Sequence, residues 1–112
     1  MRRFGNGVRV EALVAGRRYV ERVEGARLAP RTPRTLISTR LAAEVGGPPG
    51  PKHCTRVPWL GTVCGVTSKV TIALPGCEAA KVRAVAAPMP RGTDLVLGAD
   101  VINRVRCRES GR

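Results

Sequence analysis

Acidic side chains are scarce in this chain of 112 residues: eight Asp and Glu stand against 20 Lys and Arg, a formal charge of +12. Only Asp94 and Asp100 are aspartates, so chemistry that needs paired carboxylates has little to draw on. Histidine is scarcer still. With His53 alone, Ser38, Ser68 and Ser110 lack a His–Asp partnership, and Cys54 has only its own sequence neighbour as a base, which argues against both serine and thiol hydrolysis. Aromatic residues make up 3% of the chain, which leaves Val, Leu, Ile and Ala to build the core and removes the stacking platforms that recognise single-stranded nucleic acid. No apolar run reaches the ~18 residues of a membrane span. The basic start Met1-Arg2-Arg3 is not followed by the apolar segment of a signal peptide, so the cytoplasm is the expected compartment. No Gly-rich phosphate loop with a Lys is present. The four cysteines, Cys54, Cys64, Cys77 and Cys107, have neither the C-x-x-C spacing nor the regular gaps of a metal site. No metal and no cofactor are expected. Buried free thiols are the expected state, with disulfides as the alternative in a heat-adapted source.

What is present points to a single β-rich domain over residues 1–112. Apolar residues at 43% suffice for one modest core, and 13 Gly with 9 Pro favour short elements joined by tight turns. Val8–Val14 alternates as a strand and runs into Ala15-Gly16. Residues 15–34 differ in kind, with six Arg, two Glu and two Pro, and read as a basic loop or insertion with a short strand at Tyr19–Val23 at most. Arg34–Ser38 is a short apolar strand. Ser38 or Thr39 then caps a helix that Gly46-Gly47 stops. The segment Gly46–Lys52 reads as a loop. Strands are expected around Cys54–Val57, Gly61–Val66, Ser68–Leu74, Lys81–Ala87 and Asp94–Gly98. Pro75-Gly76 forms a turn, and a short C-terminal helix follows from Ala99, ahead of a frayed tail at 106–112.

Seventeen of the 20 cations are Arg. Such a surface attracts polyanions and binds nucleic acid weakly, without sequence preference. Genomic base composition or heat adaptation would enrich Arg equally well.

Four stretches, in order, carry a resemblance to one family. Thr93–Ile102, TDLVLGADVI, resembles the strand, glycine and helix near the end of retropepsin-like aspartic protease domains. Arg34–Gly46 resembles the segment after their catalytic loop. Val70–Pro88 looks like their long hairpin of core strands, and Asn6–Val14 is similar to the strand leading to the catalytic motif. The resemblance implies an all-β fold with one or two short helices, a retropepsin-like acid-protease barrel working as a homodimer. Each chain of such a dimer supplies one Asp from an Asp-Thr/Ser-Gly-Ala turn, beneath a Gly-rich hairpin called the flap.

The motif itself is missing. Counting forward from the first strand, the Asp position falls on Ala15; counting back from Arg34–Ser38, it falls on Ala29. Glu24, followed by Gly25-Ala26, is the one weak substitute. The expected flap is the turn at Trp59, Leu60 and Gly61, with Trp59 also suited to a core or dimer contact. The function implied is a protease-type domain without its catalytic acid, acting in dimerisation or in binding a peptide or protein. The alternative is a small basic β domain that binds nucleic acid. A working protease using Glu24 or a partner's acid ranks third. A reading-frame error would also explain the unusual composition of residues 15–34.

Overall fold

A computed structural model describes residues 8–107 of the chain. Strands dominate. In chain order they are β1 (Arg9–Ala15), β2 (Val20–Leu28), β3 (Leu36–Ser38), β4 (Pro49–Val57), β5 (Gly61–Ala73), β6 (Ala80–Ala87) and β7 (Leu95–Leu97). Two short helices, α1 (Thr39–Val45) and α2 (Ala99–Ile102), follow β3 and β7. The all-β expectation therefore holds, and the expected short helices are present.

The seven strands form one mixed sheet in the order β1-β2-β7-β3-β6-β5-β4. The far end of β5, Thr71–Ala73, pairs back onto β1, so six of the strands curl into a closed, barrel-like ring and β4 hangs outside it. β5 can serve three neighbours because it is 13 residues long: its first part pairs with β4, its last part with β1, and β6 runs along its other side.

β3 and β7 read as unbroken apolar runs because both of their faces are covered. Ile37, Leu95 and Leu97 point into the larger core with Val14, Ile72 and Val101. Leu36 and Val96 point the other way, into a smaller cluster with Ala29, Val57 and Val85. α1 starts where the Ser38 side chain accepts a hydrogen bond from the Leu41 N–H at 3.1 Å. It ends at Gly46, whose φ of 73° suits the residue without a Cβ.

Three expectations need correction. Residues 15–34 are not a loop: β2 occupies Val20–Leu28 and pairs with β1 on one side and β7 on the other. Alternation was hidden there because one face of β2 is solvated and carries Glu and Arg, as with exposed Arg22 and Glu24. The loop expected over Gly46–Lys52 is the start of β4, which tolerates Pro49 and Pro51 because it is the sheet's outer strand and is bulged between Pro49 and Lys52. The cysteines are not free thiols. Cys54 is bridged to Cys64, its direct cross-strand partner on the β4–β5 hairpin, and Cys77 to Cys107. The second bridge also ties down the tail expected to fray from residue 106, since the Glu78 N–H donates to the Arg106 carbonyl at 2.8 Å; residues 108–112 lie outside the described residues.

Candidate functional site

Ala15 closes β1, and Gly16 then makes the turn of the β1–β2 hairpin, its N–H bonded to the Tyr19 carbonyl. The turn docks on the end of α1. The Arg18 and Tyr19 N–H groups donate to the Val45 carbonyl and the Arg17 N–H to the Gly46 carbonyl. A Cβ on Gly16 would collide with the Val45 carbonyl, which is why glycine is required there. This turn is peripheral and fully committed to capping the helix.

The turn after β2 lies between inner elements. The Ala29 N–H donates to the Leu97 carbonyl at 2.8 Å, and the Ala29 carbonyl accepts from the Thr32 N–H at 2.9 Å. Pro30 occupies the first corner of that four-residue turn, where its fixed φ is suited. The exit is held by α2: the Ala99 N–H donates to the Thr32 carbonyl and the Asp100 N–H to the Pro33 carbonyl. Gly98 lies so close to the Thr32 and Arg34 backbones that a Cβ would overlap them. The Asp100 carboxylate accepts from the Thr35 N–H at 3.1 Å and from the Thr35 hydroxyl at 2.7 Å. The same hydroxyl accepts from the Gly98 N–H at 3.0 Å. The resemblance over Thr93–Ile102 includes Asp100, and it does not announce Thr35 as its partner.

The β4–β5 hairpin reaches this turn. At its tip the Leu60 N–H donates to the Val57 carbonyl, and Gly61 has φ of 84°. Trp59 packs half-buried on the cluster containing Ala29, together with Val63 and Met89, and the Arg27 guanidinium lies over its ring at 5.1 Å. Lower on the hairpin, Thr55 Oγ1 accepts from the Arg34 N–H at 3.1 Å. The structure thus brings Trp59 and Ala29 together across one apolar cluster. Leu60 and Gly61 remain exposed at the tip, and Ala15 belongs to the other turn.

Glu24 joins neither turn. Between the paired residues Val10 and Ala12 on β1 lies Glu11 alone, whereas between Val23 and Ala26 on β2 lie Glu24 and Gly25. Glu24 is therefore one of the two residues of a β-bulge. Its side chain is 78% exposed and lies 3.8 Å from Arg22. Five residues of strand, on the order of 16 Å, separate it from Ala29.

Neither aspartate is free for chemistry. Asp100 is bound by Thr35, and Asp94 accepts from the Ser38 hydroxyl at 2.9 Å and from Arg40 at 2.8 Å. Asp94, and next Glu44, hold the Arg40 guanidinium above its ordinary pKa. The central turn itself carries Arg31, with Arg34 two residues beyond its end, and no acid. Among the described residues, no three His, Cys, Asp or Glu gather as a metal site. No helix among them is long and apolar enough to cross a membrane. In comparison with known proteins, no family model matches this chain and no curated protein matches its sequence.

Proposed function

We propose that the chain is a retropepsin-like aspartic protease-type domain without a catalytic carboxylate, serving as a homodimeric module that binds an extended peptide or protein segment. The observation that carries this reading is the turn Ala29–Thr32. It follows β2, is clamped by β7 and α2, lies beneath a glycine-tipped hairpin bearing Trp59, and holds Ala where the family would hold Asp. This reading takes Ala29, not Ala15, as the vacant acid position, because only Ala29 lies under the hairpin.

Hydrolysis by this family uses two carboxylates that share one proton, one to activate water and one to polarise the peptide carbonyl. A turn with Ala in both chains supplies neither. Peptide binding needs only a cleft edge and apolar pockets, which Trp59 and Leu60 would furnish. The cytoplasmic location is kept in this reading together with a heat-adapted source, where intracellular disulfides persist. The test is cleavage of casein or a fluorogenic peptide at acid and neutral pH. No cleavage is expected, and cleavage blocked by pepstatin would overturn the assignment as inactive.

A second reading, a basic nucleic-acid-binding β domain, is favoured by the charge of +12. Filter binding across a salt series tests it, because affinity that fails to fall as salt rises is incompatible with phosphate-backbone contacts.

A further inference from the structure

We propose that the face where β5, β6 and α2 meet binds a ligand bearing two adjacent phosphate groups. Arg34, Lys69, Lys81, Arg83 and Arg104 line one concavity of about 300 Å³, with Val82 and Asp100 in its wall. Strand register explains the convergence. Lys69 on β5 stands directly opposite Arg83 on β6, and Lys81 lies two residues along β6 on the same face. These three are exposed, while the alternate residues Val70, Val82 and Ala84 are buried. Arg104 reaches in from beyond α2 and donates to the Lys81 carbonyl at 2.7 Å. Arg34 enters from the central turn, its backbone fixed by Thr55.

This arrangement opposes stability unless an anion fills it. Like charges directly across a strand pair repel. Elsewhere, among the described residues, the fold compensates only two arginines with carboxylates: Arg22 meets Glu11 and Arg40 meets Glu44 and Asp94. Among the described residues, none of the five cations around the concavity makes an ion pair. The one carboxylate in the wall, Asp100, is occupied by Thr35. Guanidinium groups match phosphate oxygens in bidentate fashion, and clustered cations in a concave site focus anion attraction. Five cations and this volume exceed what a single phosphate needs and suit two linked ones. A free pyrophosphate-bearing molecule and a nucleic-acid backbone share that chemistry. The site includes neither Ala29 nor the hairpin tip, so it stands or falls apart from the protease-type reading.

The test is titration of the native chain with inorganic pyrophosphate at physiological salt, followed by amide NMR. A double variant, Lys69→Ala with Arg83→Ala, is compared with a control that loses the same charge elsewhere, Arg56→Ala with Arg91→Ala. Saturable shifts at residues 69, 81–83 and 104, weakened about 10-fold in the first variant and unchanged in the control, are expected. Absence of saturation at millimolar pyrophosphate, or equal weakening in both variants, overturns the proposal. A duplex DNA arm separates the sources. Competition between DNA and pyrophosphate, lost in the first variant only, identifies the backbone as the ligand; DNA binding that falls equally in both variants, beside a selective pyrophosphate site, identifies a small phosphorylated molecule. Lys69→Glu gives an independent readout: a higher melting temperature without ligand and weaker pyrophosphate binding, where a merely structural Lys69 would leave pyrophosphate binding unmoved.

Discussion

Two turns of this protein, one after Ala15 at the end of β1 and one from Ala29 just after β2, are built for opposite purposes. After Ala15 the chain makes a peripheral hairpin turn whose N–H groups cap the end of α1. After Ala29 it makes a central turn, locked by β7, α2 and the Thr35–Asp100 pair and covered by a second hairpin. The first is docked on one side, against the end of α1. The second is held from three sides by elements that themselves form the core. Ala15 is itself paired with Val20 of β2 and Thr71 of β5, so what sets residue 29 apart is the hairpin packed over it, the cover a chemical site needs.

The sharpest way to break this contrast is to remove the clamp. Asp100→Ala strips the acceptor from the Thr35 N–H and hydroxyl, and an expected loss of about 4 kcal/mol in urea unfolding follows from hydrogen bonds to a charged group. A loss below ~1 kcal/mol would mean that the central turn is not held as described.

The disulfides come next. Loop-closure entropy gives about 3.6 kcal/mol for Cys77–Cys107 and about 2.7 kcal/mol for Cys54–Cys64, because the first closes a separation of 30 residues and the second only 10. Thermal melts of the two Cys→Ser pair variants check the order. The Cys54–Cys64 variant should also loosen amide-exchange protection on the hairpin over the central turn, and leave the peripheral turn unchanged.

Glycine replacements probe both turns. Gly98→Ala forces a methyl into the Thr32 and Arg34 backbones and Gly16→Ala forces one into the Val45 carbonyl, so each should cost about 3 kcal/mol in urea unfolding. A cost below ~1 kcal/mol at either position would mean that its turn is not packed as described. The smallest effect is expected at Thr32, whose buried hydroxyl has no partner among the described residues: Thr32→Val should leave stability unchanged or raise it by up to ~1 kcal/mol.

Much of the scaffold was legible in the residues. Ser38 and Gly46 mark the two ends of α1, the Pro75-Gly76 turn is closed by the Cys77 N–H on the Leu74 carbonyl, and the apolar runs of β3 and β7 announce strands covered on both faces. β2 was hidden because its bulge at Glu24-Gly25 breaks the alternation and its solvated face is charged. The start of β4 was hidden because prolines argue against a strand unless it lies at an edge, and edge position is a property of the whole sheet. The disulfides depend on cross-strand register, which cysteine spacing does not encode. For the same reason the family resemblance left two positions, Ala15 and Ala29, for the acid of its motif. Only the long-range pairing of β2 with β7 brings Ala29, and not Ala15, beneath the hairpin. The cation cluster on β5 and β6 was equally invisible, since Lys69 and Arg83 meet only through the strand register.

The central claim is that the turn at Ala29 is a protease-type turn emptied of its acid. Its most direct test is the rate of pepstatin-sensitive cleavage of a fluorogenic peptide by the native chain, by an Ala29→Asp, Pro30→Thr, Arg31→Gly variant, and by Ala15→Asp, each verified as folded. The native chain and Ala15→Asp should be silent, and the variant at residues 29–31 should rise about 100-fold above background, the scale of positioned acid–base catalysis. Pepstatin-sensitive cleavage by the native chain, or a gain at residue 15 with none at residue 29, would contradict the account.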